Sequence, residues 1–180
     1  KHRGVWIGNE KIAAVGIARQ VMMFLMVLMV AISGGAAAIN TKAYGARDTA
    51  RVSGTAAQSI LFMVAAGLLI VTPAGLLSSR GFLILLGGSG QVVTLGTRYL
   101  LILFAGSIFT MLNFAVNGVL LGVGKTRVSL AILLGVNLLN IGLNYLFIFG
   151  PGRFPALGVA GAAVGTVSAR ALGSIAGILV

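Results

Sequence analysis

Five stretches of this chain are apolar for as long as a helix needs to cross a bilayer: residues 12–39, 53–77, 99–121, 129–149 and 157–180. Roughly 20 apolar residues suffice for one crossing. In hydrocarbon, an isolated segment must satisfy its own backbone N–H and C=O groups, so each stretch is expected as an α-helix. A transmembrane β-barrel would alternate apolar and polar residues over about ten positions, and these runs do not. The expected architecture is an all-α, polytopic transmembrane helix bundle of about five spans, forming a single membrane domain over residues 1–180. Composition agrees: 8% of residues are charged, against about 25% in soluble domains.

The charges are lopsided. Thirteen Lys and Arg face two acids, Glu10 and Asp48. The basic residues stand singly or in short loop groups, which is the pattern of residues flanking membrane spans and not of a nucleic-acid surface. Residues 40–52 carry Lys42, Arg47 and Arg51, and residues 122–128 carry Lys125 and Arg127. The loops at 78–90 and 150–156 carry only Arg80 and Arg153. The positive-inside rule places the first two loops in the cytoplasm. The basic start, residues 1–11, lands outside under this scheme. A chain that begins without Met and stops at Val180 inside an apolar run has the pattern expected of a piece of a longer protein.

Catalytic machinery is missing from the sequence. There is no Cys, the sole His is His2, and no paired carboxylates lie within the spans, so neither acid–base or nucleophilic catalysis nor a metal site is expected. Gly124-Lys125-Thr126 lacks the upstream glycine of a P-loop, because position 119 is Val. Gly87–Gly90 reads as a turn between helices. The pairs Gly118/Gly122, Gly161/Gly165 and Gly173/Gly177 have the spacing that lets membrane helices approach closely. Pro73, near the end of the second span, is expected to kink or end its helix.

What remains is a set of intramembrane polar groups, which by default point to function. At about 100° per residue, Asn137, Asn140 and Asn144 fall within an arc of roughly 60° on one helix face. Amides facing lipid would leave hydrogen bonds unmade, so this face is expected to line the interior or a wet cavity. Asn144 is expected closest to any cation or substrate. Asn113 and Asn117, at i and i+4 on the neighbouring span, are expected to face the same interior, with Thr166, Gln20 and Gln58 as further candidates. Arg19 and Arg170 can either snorkel to an interface or face the cavity. The alternative is plain interhelical hydrogen bonding across a dry, packed contact.

Four stretches carry a family resemblance. Asn137-x-x-Asn140-x-x-x-Asn144-Tyr145, followed by Gly150, Phe154-Pro155, Gly158, Gly161 and Thr166, resembles the fifth and sixth helices of multidrug and toxic compound extrusion (MATE) transporters. Glu10 to Gly16 resembles the start of the family's second helix, Lys42-Ala43-Tyr44-Gly45-Ala46-Arg47-Asp48 the loop between helices two and three, and Gly118 to Thr126 the loop after helix four. The resemblance implies a secondary transporter of two six-helix lobes that exports lipophilic or cationic small molecules across the cell membrane by alternating access, in exchange for H⁺ or Na⁺ and with no other cofactor. On that map the chain holds helices two to five and much of six, and its missing partners are helix one and the second lobe. The family often has Asp where this chain has Asn144, and Asp where it has Lys125. Two other readings are a lipid-linked oligosaccharide flippase of the same superfamily, whose cleft would carry basic residues for a diphosphate, and a structural membrane-helix module.

Overall fold

The structure is a computed structural model that describes residues 9–151 and 156–180. The basic start before Asn9, with His2, and the Arg153 and Phe154-Pro155 positions lie outside the described residues. Seven α-helices follow in order: α1 (Asn9–Gly45), α2 (Thr49–Ala66), α3 (Thr72–Leu85), α4 (Gly90–Ala105), α5 (Ser107–Gly122), α6 (Thr126–Phe149) and α7 (Val159–Ile178). Four apolar spans, Ile12–Gly45, Thr49–Leu85, Thr126–Phe149 and Val159–Ile178, are long enough to cross a membrane, and the bent pair α4–α5 makes a fifth. The chain is an integral membrane protein. Exposed Leu69, Leu77 and Leu138 give the bundle the apolar exterior that lipid requires.

The turns explain two of the motifs. At 1.5 Å per residue, the 37 residues of α1 extend about 55 Å, well beyond a hydrocarbon core of ~30 Å. The chain then reverses through Arg47, which has φ 57°, and the Asp48 carboxylate accepts a 2.9 Å hydrogen bond from Arg51 N–H, capping α2. Asp48 thus has a local structural task. In the turn after α5, Gly124 takes φ 76° and Lys125 N–H closes on the Leu120 carbonyl at 2.8 Å, ending the helix as a left-handed cap does. Lys125 also donates to the Val180 carbonyl at 3.4 Å.

Two spans differ from their expected form. Pro73 neither ends nor sharply breaks its helix. A π-helical turn, Gly67–Val71, sits just before it, with Thr72 N–H reaching back to the Gly67 carbonyl. This wider turn relieves the crowding that a proline ring otherwise creates against the preceding turn. The third span, expected as one helix over residues 99–121, is two helices bent by 50°. The bend falls at Gly106, where a side chain would run into Val167 of α7, and Ser107, the first residue of α5, shares a 2.9 Å hydroxyl hydrogen bond with Thr72 of α3.

Close approach of helices does the packing. Backbone and side-chain atoms of Ser33 occupy the place of a Cβ at Gly118, and Ala37 and Asn40 that of a Cβ at Gly122, so the Gly118/Gly122 pair seats α5 on α1. Ser33 adds a hydrogen bond to the Phe114 carbonyl at 2.8 Å. The small-residue stripe of α7, with Gly161, Gly165, Ala169, Gly173 and Gly177 all buried, lies against α6 at one end and α5 at the other. Buried Met29, Met63 and Met111 join α1, α2 and α5, where flexible thioethers fill an irregular gap.

Since Gly122 packs on Ala37 and Asn40, the α1–α2 and α5–α6 turns share one end of the bundle. The chain has no cysteine, so single thiols report sidedness cleanly. Ala46→Cys should be labelled from the cytoplasmic face and Ser89→Cys, in the α3–α4 turn, from the opposite face. Labelling of both from the same face would contradict the five-span topology.

Candidate functional site

The polar residues of the spans form two groups. The first lines a cavity of about 270 Å³ between α5, α6 and α7. Asn113, Asn117 and Thr110 reach it from α5, Asn137 and Ser129 from α6, and Arg170 from α7, while Met26 closes it from α1. Asn113 and Asn117 share a face because they are one turn apart. Asn113 is tied down: its amide donates to the carbonyls of Phe109 (2.9 Å) and Arg170 (2.6 Å) and contacts the Ser174 hydroxyl at 2.6 Å. Asn117 accepts from the Ser129 hydroxyl across α5 and α6. Asn137 differs. It is exposed to the cavity and its amide donates only to its own Leu133 carbonyl, at 2.8 Å.

The second group lies between α6 and α7, nearer the end of α6. Asn144 donates to the Asn140 side-chain carbonyl at 3.0 Å, Asn140 donates to the Thr166 hydroxyl at 3.1 Å, and Thr166 donates to the Ala162 carbonyl at 2.8 Å. This chain of bonds leaves one end open. The Asn144 Oδ1 is buried and accepts no hydrogen bond among the described residues, although a buried acceptor is normally paired. The same oxygen sits where a Cβ of residue 165 would be, so Gly165 makes room for it. Asn140, Asn144 and Thr166 are therefore drawn into a helix–helix contact, and Asn137 alone of the α6 triad lines the cavity.

Gln20 and Gln58 stand apart from both groups. Both are exposed, and neither lines the cavity. Gln20 lies about 120° around α1 from Met26, the α1 residue that does line it, and Gln58 stands on α2, which contributes nothing to the cavity wall. Arg19 lies on the Met26 stripe, seven residues earlier. It is exposed.

Arg170 is the residue whose place the sequence left open. It lies eleven residues after Val159 and eight before Ile178, about 12–17 Å from the helix ends. Its head group turns inward, donating from Nη1 to the Thr110 hydroxyl at 2.8 Å. Depth was the available signal, since a cation that far from both ends cannot easily snorkel. Ser174 and Thr110 also serve the site, and nothing in their spacing marks them apart from other hydroxyls in apolar helices. Among the described residues, no cluster of three or more His, Cys, Asp or Glu could hold a metal ion.

Broken and glycine-packed membrane helices thus surround an amide-lined cavity. The MatE family model matches residues 4–146, and the chain belongs to that family. It is 33% identical over 172 residues to the probable multidrug resistance protein NorM of Thermotoga maritima, a match covering 94% of this chain and 36% of the relative. A crystal structure of MATE in the bent conformation superposes with TM-score 0.88 at 27% identity, covering 95% of this chain and 37% of that one. An inward-facing multidrug resistance MATE transporter of the MOP superfamily gives TM-score 0.88 at 27% identity, covering 96% and 38%. The chain thus spans somewhat over a third of the length of these relatives.

Proposed function

We propose that this chain forms most of one lobe of a two-lobed secondary transporter of the cell membrane. That transporter exports lipophilic or cationic small molecules by alternating access, in exchange for H⁺ or Na⁺. The observation that carries the reading is the cavity whose wall holds Asn113, Asn117 and Asn137 in otherwise apolar spans. Amides there supply donors and acceptors to varied ligands, while Met26, Phe114 and Ile132 supply apolar contact. The second lobe completes the moving pair that alternating access needs.

The orphaned Asn144 oxygen bears on the ion. Among the described residues no carboxylate lies inside a span: Glu10 precedes the first span and Asp48 sits between the first two. An amide cannot titrate, whereas its carbonyl oxygen can ligate a cation. The unpaired Asn144 oxygen is therefore a candidate Na⁺ ligand in the part of the lobe that this chain forms. In the two-lobed protein, Asn144→Leu should lower Na⁺-driven dye efflux from proteoliposomes more than it lowers folded protein. If removal of the amide instead depletes folded protein and leaves efflux per molecule intact, its role is packing and the ion proposal fails.

The flippase reading draws on Arg170 at the cavity wall, where a diphosphate could be met. Movement of a lipid-linked diphosphate with no dye efflux in the same liposomes would favour it.

A further inference from the structure

The geometry points to a second recognition element in this cavity: Arg170 makes it a binding site for an oxyanion, a carboxylate or phosphate carried by the transported molecule. The inference rests on reading the cavity as part of the export path. It goes further in assigning a charge to the ligand, and that charge is opposite to the one a cation exporter would suggest.

Arg170 lies deep in a membrane span and on the cavity wall. Among the described residues its side chain makes one hydrogen bond, from Nη1 to the neutral hydroxyl of Thr110. A guanidinium has five N–H donors and stays charged in proteins, so most of its donors remain for another partner. An ion held in a low-dielectric interior is costly unless paired and hydrogen-bonded. No carboxylate of the described spans can pair it, because Glu10 and Asp48 lie outside them. With Glu10 and Asp48 outside the spans, Arg170 leaves this wall positively charged. The surrounding groups suit an anion as well. Asn137 lines the same wall without a tertiary partner, and its amide can reorient to donate. The planar guanidinium fork matches a carboxylate or phosphate in bidentate fashion. Met26 and Phe114 would hold the apolar body of an amphiphile.

Fluorescein and rhodamine 6G test this directly, since they share a xanthene frame and carry opposite charge. Fluorescence anisotropy would read the binding of each to the purified two-lobed protein in neutral detergent, with no ion gradient. Fluorescein should bind the unaltered protein, and Arg170→Gln should weaken it at least tenfold while rhodamine 6G binds as before or more tightly. Arg170→Lys, which keeps the charge but loses the fork, should fall between. It also preserves the test if Arg170→Gln does not fold. Three results would overturn the inference: no fluorescein binding by the unaltered protein, equal weakening of both dyes by Arg170→Gln, or unchanged fluorescein binding in Arg170→Lys and Arg170→Gln alike. The first of these is also what a carboxylate supplied to Arg170 from elsewhere in the polypeptide would produce. Because this assay reads binding alone, charge-selective binding by a protein that shows no dye efflux in a separate liposome assay would count against the export reading alone.

Discussion

Gly161→Val should sharply reduce the amount of folded protein in the membrane. A Cβ at position 161 would fall inside van der Waals contact with the Phe147 carbonyl and the Ile148 backbone nitrogen. Both are backbone atoms of α6, so no side-chain rotation can relieve the clash. The helices must separate, and separation also pulls Gly165 away from Asn144 and breaks the Asn140–Thr166 bond at 3.1 Å. Overpacking of this kind costs about 1–3 kcal/mol, occasionally more. Gly142, with open space around it, is the control: Gly142→Ala on the same α6 should leave the folded amount unchanged. Detergent-solubilised protein, followed by fluorescence-detected size exclusion during a temperature ramp, reads both. Equal melting temperatures for Gly161→Val and the unaltered protein would show that α6 and α7 do not pack as described.

The same contrast shows which features were legible in the sequence. Spans and helix type were plain, because hydrocarbon permits few alternatives and the runs are long. The glycine pairs of α5 and α7 were legible as close-packing surfaces for the same kind of reason: their spacing is a property of one helix. Features that depend on a neighbour were not. Gly106 bends the third span because Val167 of α7 lies against it, and a lone glycine in an apolar run gives no notice of that. The π-turn before Pro73 is a response to local crowding that hydropathy does not register. Polarity marks Gln20 and Gln58, but their orientation is set by which face of α1 or α2 meets another helix, and both lie outside this cavity. The three α6 amides share one stripe by helix geometry. The stripe then divides, since α7 carries Gly165 opposite Asn144 but leaves Asn137 facing open space.

Asn137 is consequently the residue on which the central claim, that the α5–α6–α7 cavity is a transport surface, is most directly tested. Its amide bonds only to the Leu133 carbonyl one turn away, at 2.8 Å, and its side chain lines the cavity without bridging helices. Asn137→Leu keeps similar volume and breaks no tertiary contact, so its effect on stability should stay within about 0.5 kcal/mol. Asn113→Leu, by contrast, removes the side-chain donor that ties α5 to the Arg170 carbonyl and the Ser174 hydroxyl and should lower the folded amount, because such a hydrogen bond contributes about 0.5–1.5 kcal/mol. The decisive measurement is dye efflux per folded molecule for Asn137→Leu in the two-lobed protein, with surface abundance quantified in the same cells. A transport surface predicts normal abundance and efflux reduced about tenfold, the equivalent of ~1.4 kcal/mol. Normal abundance with undiminished efflux per molecule would contradict it.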